Sequence, residues 1–351
     1  MNYATIVAGA LKRAPLIFIL LATFSLSLST EIFAAEIDWT TVRPATLTMF
    51  YPGMTSMEFL TSEDHRLGGR NIKQGKKSCR RCHLSKKGEL DLLADEIANG
   101  TAKMKRSRKL FEDQPINNKK GVIVASIQAA YDKEHIYLRL SWPSAGRGWS
   151  EEASTEDIHP DRVSIQLNKA SNHFKRYGCF ITCHNDLNTM PSSPSKEEVK
   201  ADSYYAAIKR DDVRLYAYYT RNGAWNKMKS RDDLSGLLRE GGLMDLWSVK
   251  LQDMTSTAKD GWVFEDRRWE TKSDLEANAA WSAVDGGRYT VLFKRKLTTS
   301  SVTDIQLKEG DVANIAVSIH DDNTNKRRHY VSFPMTLGLG TDSDIPAKRL
   351  R

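Results

Sequence analysis

Val122-Ile-Val-Ala-Ser-Ile-Gln-Ala-Ala130 and Ile136-Tyr-Leu-Arg-Leu-Ser-Trp142 are two short β-type runs separated by polar residues, and the second alternates, with Ile136, Leu138, Leu140 and Trp142 on one face. A period of two sends successive side chains to opposite faces of a strand, so such a run offers one face to a core and the other to water. Comparable runs recur at Val163–Leu167, Val213–Tyr219, Leu246–Leu251, Tyr289–Lys294, Val312–Ile319 and Tyr330–Leu337. Many short strands with few helical patterns predict a mainly β chain, an antiparallel β-sandwich over residues 118–340 followed by a tail at 341–351. No internal repeat is present.

Residues 36–117 have a different texture. Few strand patterns occur there, and the clearest helical one is Glu89–Asn99, where Leu90, Leu93, Ala94 and Ile97 recur at helical spacing before Gly100. The turn residues Gln114-Pro-Ile-Asn-Asn118 close the segment. It is expected to be a small, mostly irregular and helical domain, with too little apolar area to form a core without a cofactor.

All four cysteines fall in two stretches that each end in Cys-His: Cys79-Arg-Arg-Cys82-His83 and Cys179-Phe-Ile-Thr-Cys183-His184. In the Cys-x-x-Cys-His arrangement the thiols add across the haem vinyl groups and the following histidine binds iron. The second stretch has three residues between its cysteines, so it needs a locally looped backbone to bring both sulfurs to one ring edge. Two covalent haem c groups are therefore expected, held by Cys79 and Cys82 with His83, and by Cys179 and Cys183 with His184. Two disulfides, a redox dithiol or a zinc site are the other uses of such cysteines. The adjoining histidine is irrelevant to a disulfide, and the long separation of the pairs does not suit a zinc ribbon. Opposite His83, His65 in a glycine-containing stretch is the favoured second ligand, with Met104, Met54 and Met57 as alternatives. His135 and His159 read as surface residues, and His173 is near enough to the second motif to reach a haem propionate. The polar stretches 185–210 and 252–286 are expected as loops covering the haem.

Lys12 and Arg13 precede an apolar run from Leu16 to about Leu28 and small residues to Ala34-Ala35, the pattern of a cleaved secretory signal over residues 1–35. The run is short for a membrane anchor. A periplasmic protein is expected. Without those residues the formal charge falls from +8 to +7, because Lys12, Arg13 and Glu31 leave. Basic residues cluster around the first motif, among them Arg66, Arg70, Lys73, Lys77, Arg80 and Lys86. They read either as a solvated face or as a docking rim for an acidic redox partner. Nucleic acid is excluded as a partner by export.

The run Gly121 to Asp132, Ile136 to Trp142, Asp161-Arg-Val-Ser-Ile165, Asp245-Leu-Trp247 and Val331-Ser-Phe333 resembles the haem-binding domain of ethylbenzene dehydrogenase-related proteins, shared with γ subunits of dimethyl sulfoxide reductase-type molybdenum enzymes. The resemblance covers roughly residues 118–340 and implies a β-sandwich. Phe50-Tyr-Pro-Gly53 through Asp64-His65 to His83 resembles the c-type leader of multihaem members. In the γ subunits a methionine and a lysine hold a non-covalent haem. Here the corresponding segments read Gly178-Cys-Phe-Ile-Thr-Cys-His184 and His329-Tyr-Val-Ser332, so the resemblance implies His184 and His329 as the second iron's ligands. His320 is the alternative to His329, followed by Met190.

These features predict a dihaem c-type cytochrome that carries single electrons in a respiratory chain. Its partners would be redox proteins with an acidic face, a membrane quinol-linked cytochrome or a molybdoenzyme. The competing classes are a haem enzyme of reductase or peroxidase type with an open axial site, an electron-transfer subunit of a molybdenum oxidoreductase, and a haem-based ligand sensor.

Overall fold

The computed structural model describes residues 37–51, 57–87, 89–149, 159–184, 194–213, 215–325 and 327–351, with backbone alone at 57–58, 183–184 and 215–216. The expected export signal, Met54 and Met190 lie outside the described residues.

Fifteen strands are described: β1 Ala45–Phe50, β2 Val122–Tyr131, β3 His135–Pro143, β4 Asp161–Asn168, β5 Cys183–His184, β6 Leu215–Tyr216, β7 Met244–Gln252, β8 Thr255–Val263, β9 Arg267–Trp269, β10 Leu275–Ser282, β11 Arg288–Lys296, β12 Val312–His320, β13 Tyr330–Ser332, β14 Met335–Leu339 and β15 Ile345–Arg349. Thirteen of them form one hydrogen-bonded array in the order β10-β11-β3-β2-β1-β13-β12-β4-β7-β8-β9, with β14 and β15 bridging β12 to β2. All pairings in the array are antiparallel except those of β15, which runs parallel to β14 and β2. The alternation read at β3 is seen directly. Ile136, Leu138, Leu140 and Trp142 join Val163, Ile165 and Leu167 of β4, Trp247, Val249 and Leu251 of β7 and Val291 and Phe293 of β11 in one buried cluster. The opposite rows of β4, β7 and β12 turn outward, and on them the helical segments pack a second cluster that includes Phe50, Phe174, Phe180, Leu246 and Phe333.

Several expectations need correction. Residues 37–351 form a single unit, and β1, from the segment assigned to the small N-terminal domain, pairs along its whole length with β2. Phe50 lies opposite Val122, so residues 51–121 are an excursion between two neighbouring strands. The expected tail contains β15. Residues 252–286 are not a loop but three strands, β8 to β10. The run Tyr330–Leu337 is split into β13 and β14 around Phe333-Pro334, because proline supplies no N–H to the ladder. Val213–Tyr219 contributes only the two residues of β6 before a 3-10 turn at Tyr218–Thr220. In Glu89–Asn99 only Ala94–Ala98 is helical, since Leu90 forms a bridge with Leu84 instead. Among the described residues, no helix is long and apolar enough to cross a membrane.

Burial on β2 differs sharply by face: Ile127 is fully buried, whereas Val124 is 58% exposed. Ile127→Ala should lower unfolding free energy by about 2–5 kcal/mol, and Val124→Ala should stay within about 0.5 kcal/mol of wild type. Denaturant titration of both variants checks this, and equal losses would contradict the assigned faces.

Candidate functional site

The first motif is a single helical turn, Cys79–His83, whose N-terminus is capped by Ser78 Oγ accepting the Arg81 N–H at 3.2 Å. Spacings of three and four residues put Cys82 and His83 on the same side of the turn as Cys79. Cys79 and Cys82 are not joined in a disulfide. The turn is fixed to the rest of the chain by Arg80, whose guanidinium forks onto Asp344 at 3.0 and 3.1 Å. Arg80 is thus not simply part of an open basic rim.

His65 ends a 3-10 turn at Glu63–His65 that leads into the helix Arg66–Gln74. Its ring lies nearly parallel to that of His83, at 21°, with centroids 6.0 Å apart. Each Nδ1 is occupied from outside, that of His65 by the Leu60 carbonyl and that of His83 by Asp91 Oδ1, both at 2.8 Å. This is the outer support that fixes the tautomer and orientation of metal-binding imidazoles, leaving Nε2 for the metal. Bonds of about 2.0–2.1 Å from each imidazole to a shared transition metal place two ring centres about 6 Å apart, in agreement with the observed spacing. Gly68 is required beside them, because a Cβ there would collide with the His65 ring. Burial lowers the pKa of His65, keeping its ring neutral, the ligating form. The pocket holding both imidazoles is also lined by Cys79, Cys82 and Tyr177, but not by Met104, which is buried elsewhere. These residues fit a covalently attached haem with two histidine ligands.

The second motif runs as a helical turn, Cys179–Thr182, into β5, which pairs with β6. The backbone thus passes from helix to strand between the two cysteines. The turn begins at Gly178, with φ +54, in a backbone region that favours glycine. Cys179 is buried beside Phe180 and Ile181, and Phe180 stacks on Phe50 at 5.7 Å. Thr182 Oγ1 donates to Gln166 on the outward face of β4. Tyr177, two residues before Cys179, lines the first pocket and hydrogen-bonds the Asn71 and Ile72 carbonyls, so the two motifs adjoin.

Gln166 is also on the wall of a cavity of about 530 Å³ over the outward face of β12, β4, β7 and β8, a volume in the usual range for ligand sites. Strand register builds its floor. Ser318, Ser164 and Ser248 lie in one row across three strands, and the hydroxyls of Ser164 and Ser248 are 2.9 Å apart. Small side chains there leave the sheet open. β9 supplies a wall with Arg267 and Trp269, and its close approach needs Gly261, where a Cβ would strike the Arg268 carbonyl. His320 and His329 both line the cavity, stacked at 4.3 Å. They continue the register of the β12–β13 hairpin, in which Ile319 is opposite Tyr330. His329 is 7% exposed, so it is not a surface imidazole.

Arg162, Lys250, Lys259, Arg267 and Arg327 are among the lining residues, and none of the described lining residues is acidic. Burial, with repulsion from Arg267, pushes Arg162 down to about 10. A cavity of this charge suits an anionic ligand; Cys179 does not line it, and the described link between the second motif and the cavity is the hydrogen bond from Thr182 to Gln166.

The remaining candidates fall elsewhere. His135 lies by the hairpin turn, 3.8 Å from Asp132, and His159 is at the chain surface, bonded through its N–H to Asn323. His173 stacks on Tyr219 and lines neither pocket. Sequence reasoning missed Asp91, Gly68 and the serine row. Asp91, eight residues after His83, gives no local signal. The row depends on register between distant strands.

Residues 36–332 match the sequence profile described as ethylbenzene dehydrogenase. The chain is 29% identical over 318 residues to cytochrome c-552 of Stutzerimonas stutzeri, covering 90% of this chain and 92% of that protein. It is 24% identical over 304 residues to cytochrome c-551 of Rhodocyclus tenuis, covering 86% and 95%. Among solved structures, a family 9 carbohydrate-binding module from Caldicellulosiruptor kristjanssonii aligns over 67% of this chain and 81% of that one, with 8% identity and a TM-score of 0.27, too low to bear on fold or ligand. The profile spans both pockets and nearly all of the array, and the chain belongs to the ethylbenzene dehydrogenase family.

Proposed function

We propose that this protein is an exported dihaem c-type cytochrome that passes electrons one at a time between redox partners of the periplasm. The observation that carries the reading is the His65–His83 pair, with both outer nitrogens anchored, beside two cysteines on one helical turn. The two similar proteins named as cytochromes c support covalent haem. Haem, when bound, supplies a one-electron iron couple, and the protein sets its potential through ligands, burial and charge.

In this reading Cys79 and Cys82 would tether the first haem, and His83 and His65 would bind its iron. Cys179 and Cys183 tether the second, with His184 and His329 as ligands. Arg162, Lys250 and Arg267 neutralise its propionates. Paired ligands at both irons leave no coordination position for substrate, which favours transfer over bond chemistry. The adjoining motifs favour exchange between the haems within one chain. The basic residues around the first motif would meet an acidic partner and raise the encounter rate, and the leader pattern at residues 1–35 supports export.

The mature protein should retain two haems per chain after acid-acetone extraction, and Cys179→Ala/Cys183→Ala should retain one. A wild-type count of one would overturn the dihaem reading. His65→Ala should open the first haem to carbon monoxide, and Gly68→Ala, by displacing the ring, should produce the same spectral change to a lesser degree. Carbon monoxide binding that is equally strong in wild type would instead indicate an open, enzyme-like site. At the second haem, His329→Ala should admit carbon monoxide while His320→Ala leaves the site closed. The reverse pattern would assign the ligand to His320.

A further inference from the structure

Strand alternation in the core breaks at one end of the sandwich. On β7 the inward row reads Asp245, Trp247, Val249, Leu251. Asp260 of β8 lies opposite Trp247, on the same inward side, and Arg295 of β11 lies opposite Ile136. With Asp304 from the segment after β11 they form a charged group inside the core, in which Asp245 is 2% exposed, Asp260 1%, Asp304 7% and Arg295 1%.

Arg295 satisfies part of it. Its Nη1 is 2.5 Å from Asp245 Oδ2 and 3.6 Å from Asp304 Oδ2, and its Nη2 donates to the Ile305 carbonyl at 2.9 Å. The Ile305 N–H donates to Asp245 Oδ2 and the Thr299 hydroxyl to Asp304 Oδ2. On the other side, Asp245 Oδ1, Asp304 Oδ1 and both carboxylate oxygens of Asp260 meet no side-chain donor, although all are shielded from solvent, and Asp260 has only the Gly261 N–H beside it. A buried ionised carboxylate without a partner costs several kcal/mol. An arginine and three carboxylates leave two negative charges uncompensated.

We infer that Asp245, Asp260 and Asp304 bind a calcium ion that joins β7, β8 and the segment after β11. One carboxylate oxygen from each residue lies within 4.8 Å of the others, inside the span of about 5.2 Å open to two oxygens bonded to one calcium at 2.3–2.6 Å. A dication brings the group to neutrality. The fully buried Asp260 carboxylate, which forms no ion pair and meets no side-chain donor, is the observation that separates this cluster from an ordinary acidic one. Calcium, flexible in geometry, would use these carboxylates with both oxygens of Asp260 and complete its shell with water, whereas magnesium demands a near-ideal octahedron that three carboxylates held by the sheet do not offer. Without a cation, carboxylates packed this closely in the core would have to share protons. Shared protons are therefore the competing account. The site is remote from both Cys-His motifs in sequence, and the inference does not depend on the haem reading.

The test uses the haem-loaded full chain, stripped with a calcium chelator and then re-equilibrated with calcium chloride or magnesium chloride. Metal analysis should find one calcium per chain, and the melting temperature should rise with calcium but not with equal magnesium. Asp260→Asn should lose the ion, melt below wild type in calcium, and no longer respond to chelator. Should that variant not fold, the wild-type measurements alone decide. No retained calcium with identical melting in calcium and chelator would overturn the inference. So would an Asp260→Asn protein as stable as wild type at pH 7 in calcium, and the carboxylates would then be sharing protons.

Discussion

Everything about the second pocket depends on three adjacent strands being two-faced. β4, β7 and β12 bury Val163, Ile165, Trp247, Val249, Val317 and Ile319 on one side. The same backbone must then show Arg162, Ser164, Ser248, Lys250, Ser318 and His320 on the other. Because register aligns the three serines, the outward face is flat and open at its centre and charged toward one end. The core and the pocket floor are thus one construction. A slip of one residue in β4 would send Arg162 into the core and Val163 into the pocket, so the packing that stabilises the sheet also holds the site in place.

The extent to which the sequence disclosed this follows from the same physics. β2, β3, β4, β7, β11 and β12 were legible because one or both of their faces are thoroughly apolar. β8, reading Thr255-Ser-Thr-Ala-Lys-Asp-Gly-Trp-Val263, was not, because much of it is exposed or half-exposed and its outward side chains serve the cavity wall. β1 and β15 are short, and each has a partner distant in the chain, β13 for β1 and β2 for β15. At the first site the cysteines and His83 were legible from spacing, and His65 from its glycine-containing surroundings. The Leu60 carbonyl and Asp91 that hold the two rings were not, since a backbone oxygen has no signature and Asp91 is one acid among many.

His320 and His329 illustrate a different gap. Read along the chain they compete for a single role. Folded, they are neighbours across one hairpin, and each ring packs on the other. The inward Asp245 and Asp260 are the converse: Asp245 enters the resemblance only as part of Asp245-Leu-Trp247, Asp260 gives no signal, and the chemistry of both emerges only when β8 and the segment after β11 are brought beside β7.

The pairing of Phe50 with Val122 closes the segment that carries the first motif at its base. Its two ends are pinned side by side by the sheet, so the entropy of closing residues 51–121 depends only weakly on how many residues lie between them. The excursion is also tied to the sandwich away from its ends, by Arg80 on Asp344 and by the buried pair of Glu112 and Arg327. Arg327 lines the pocket on the outward face, so a change within the excursion is felt there as well as at the first motif.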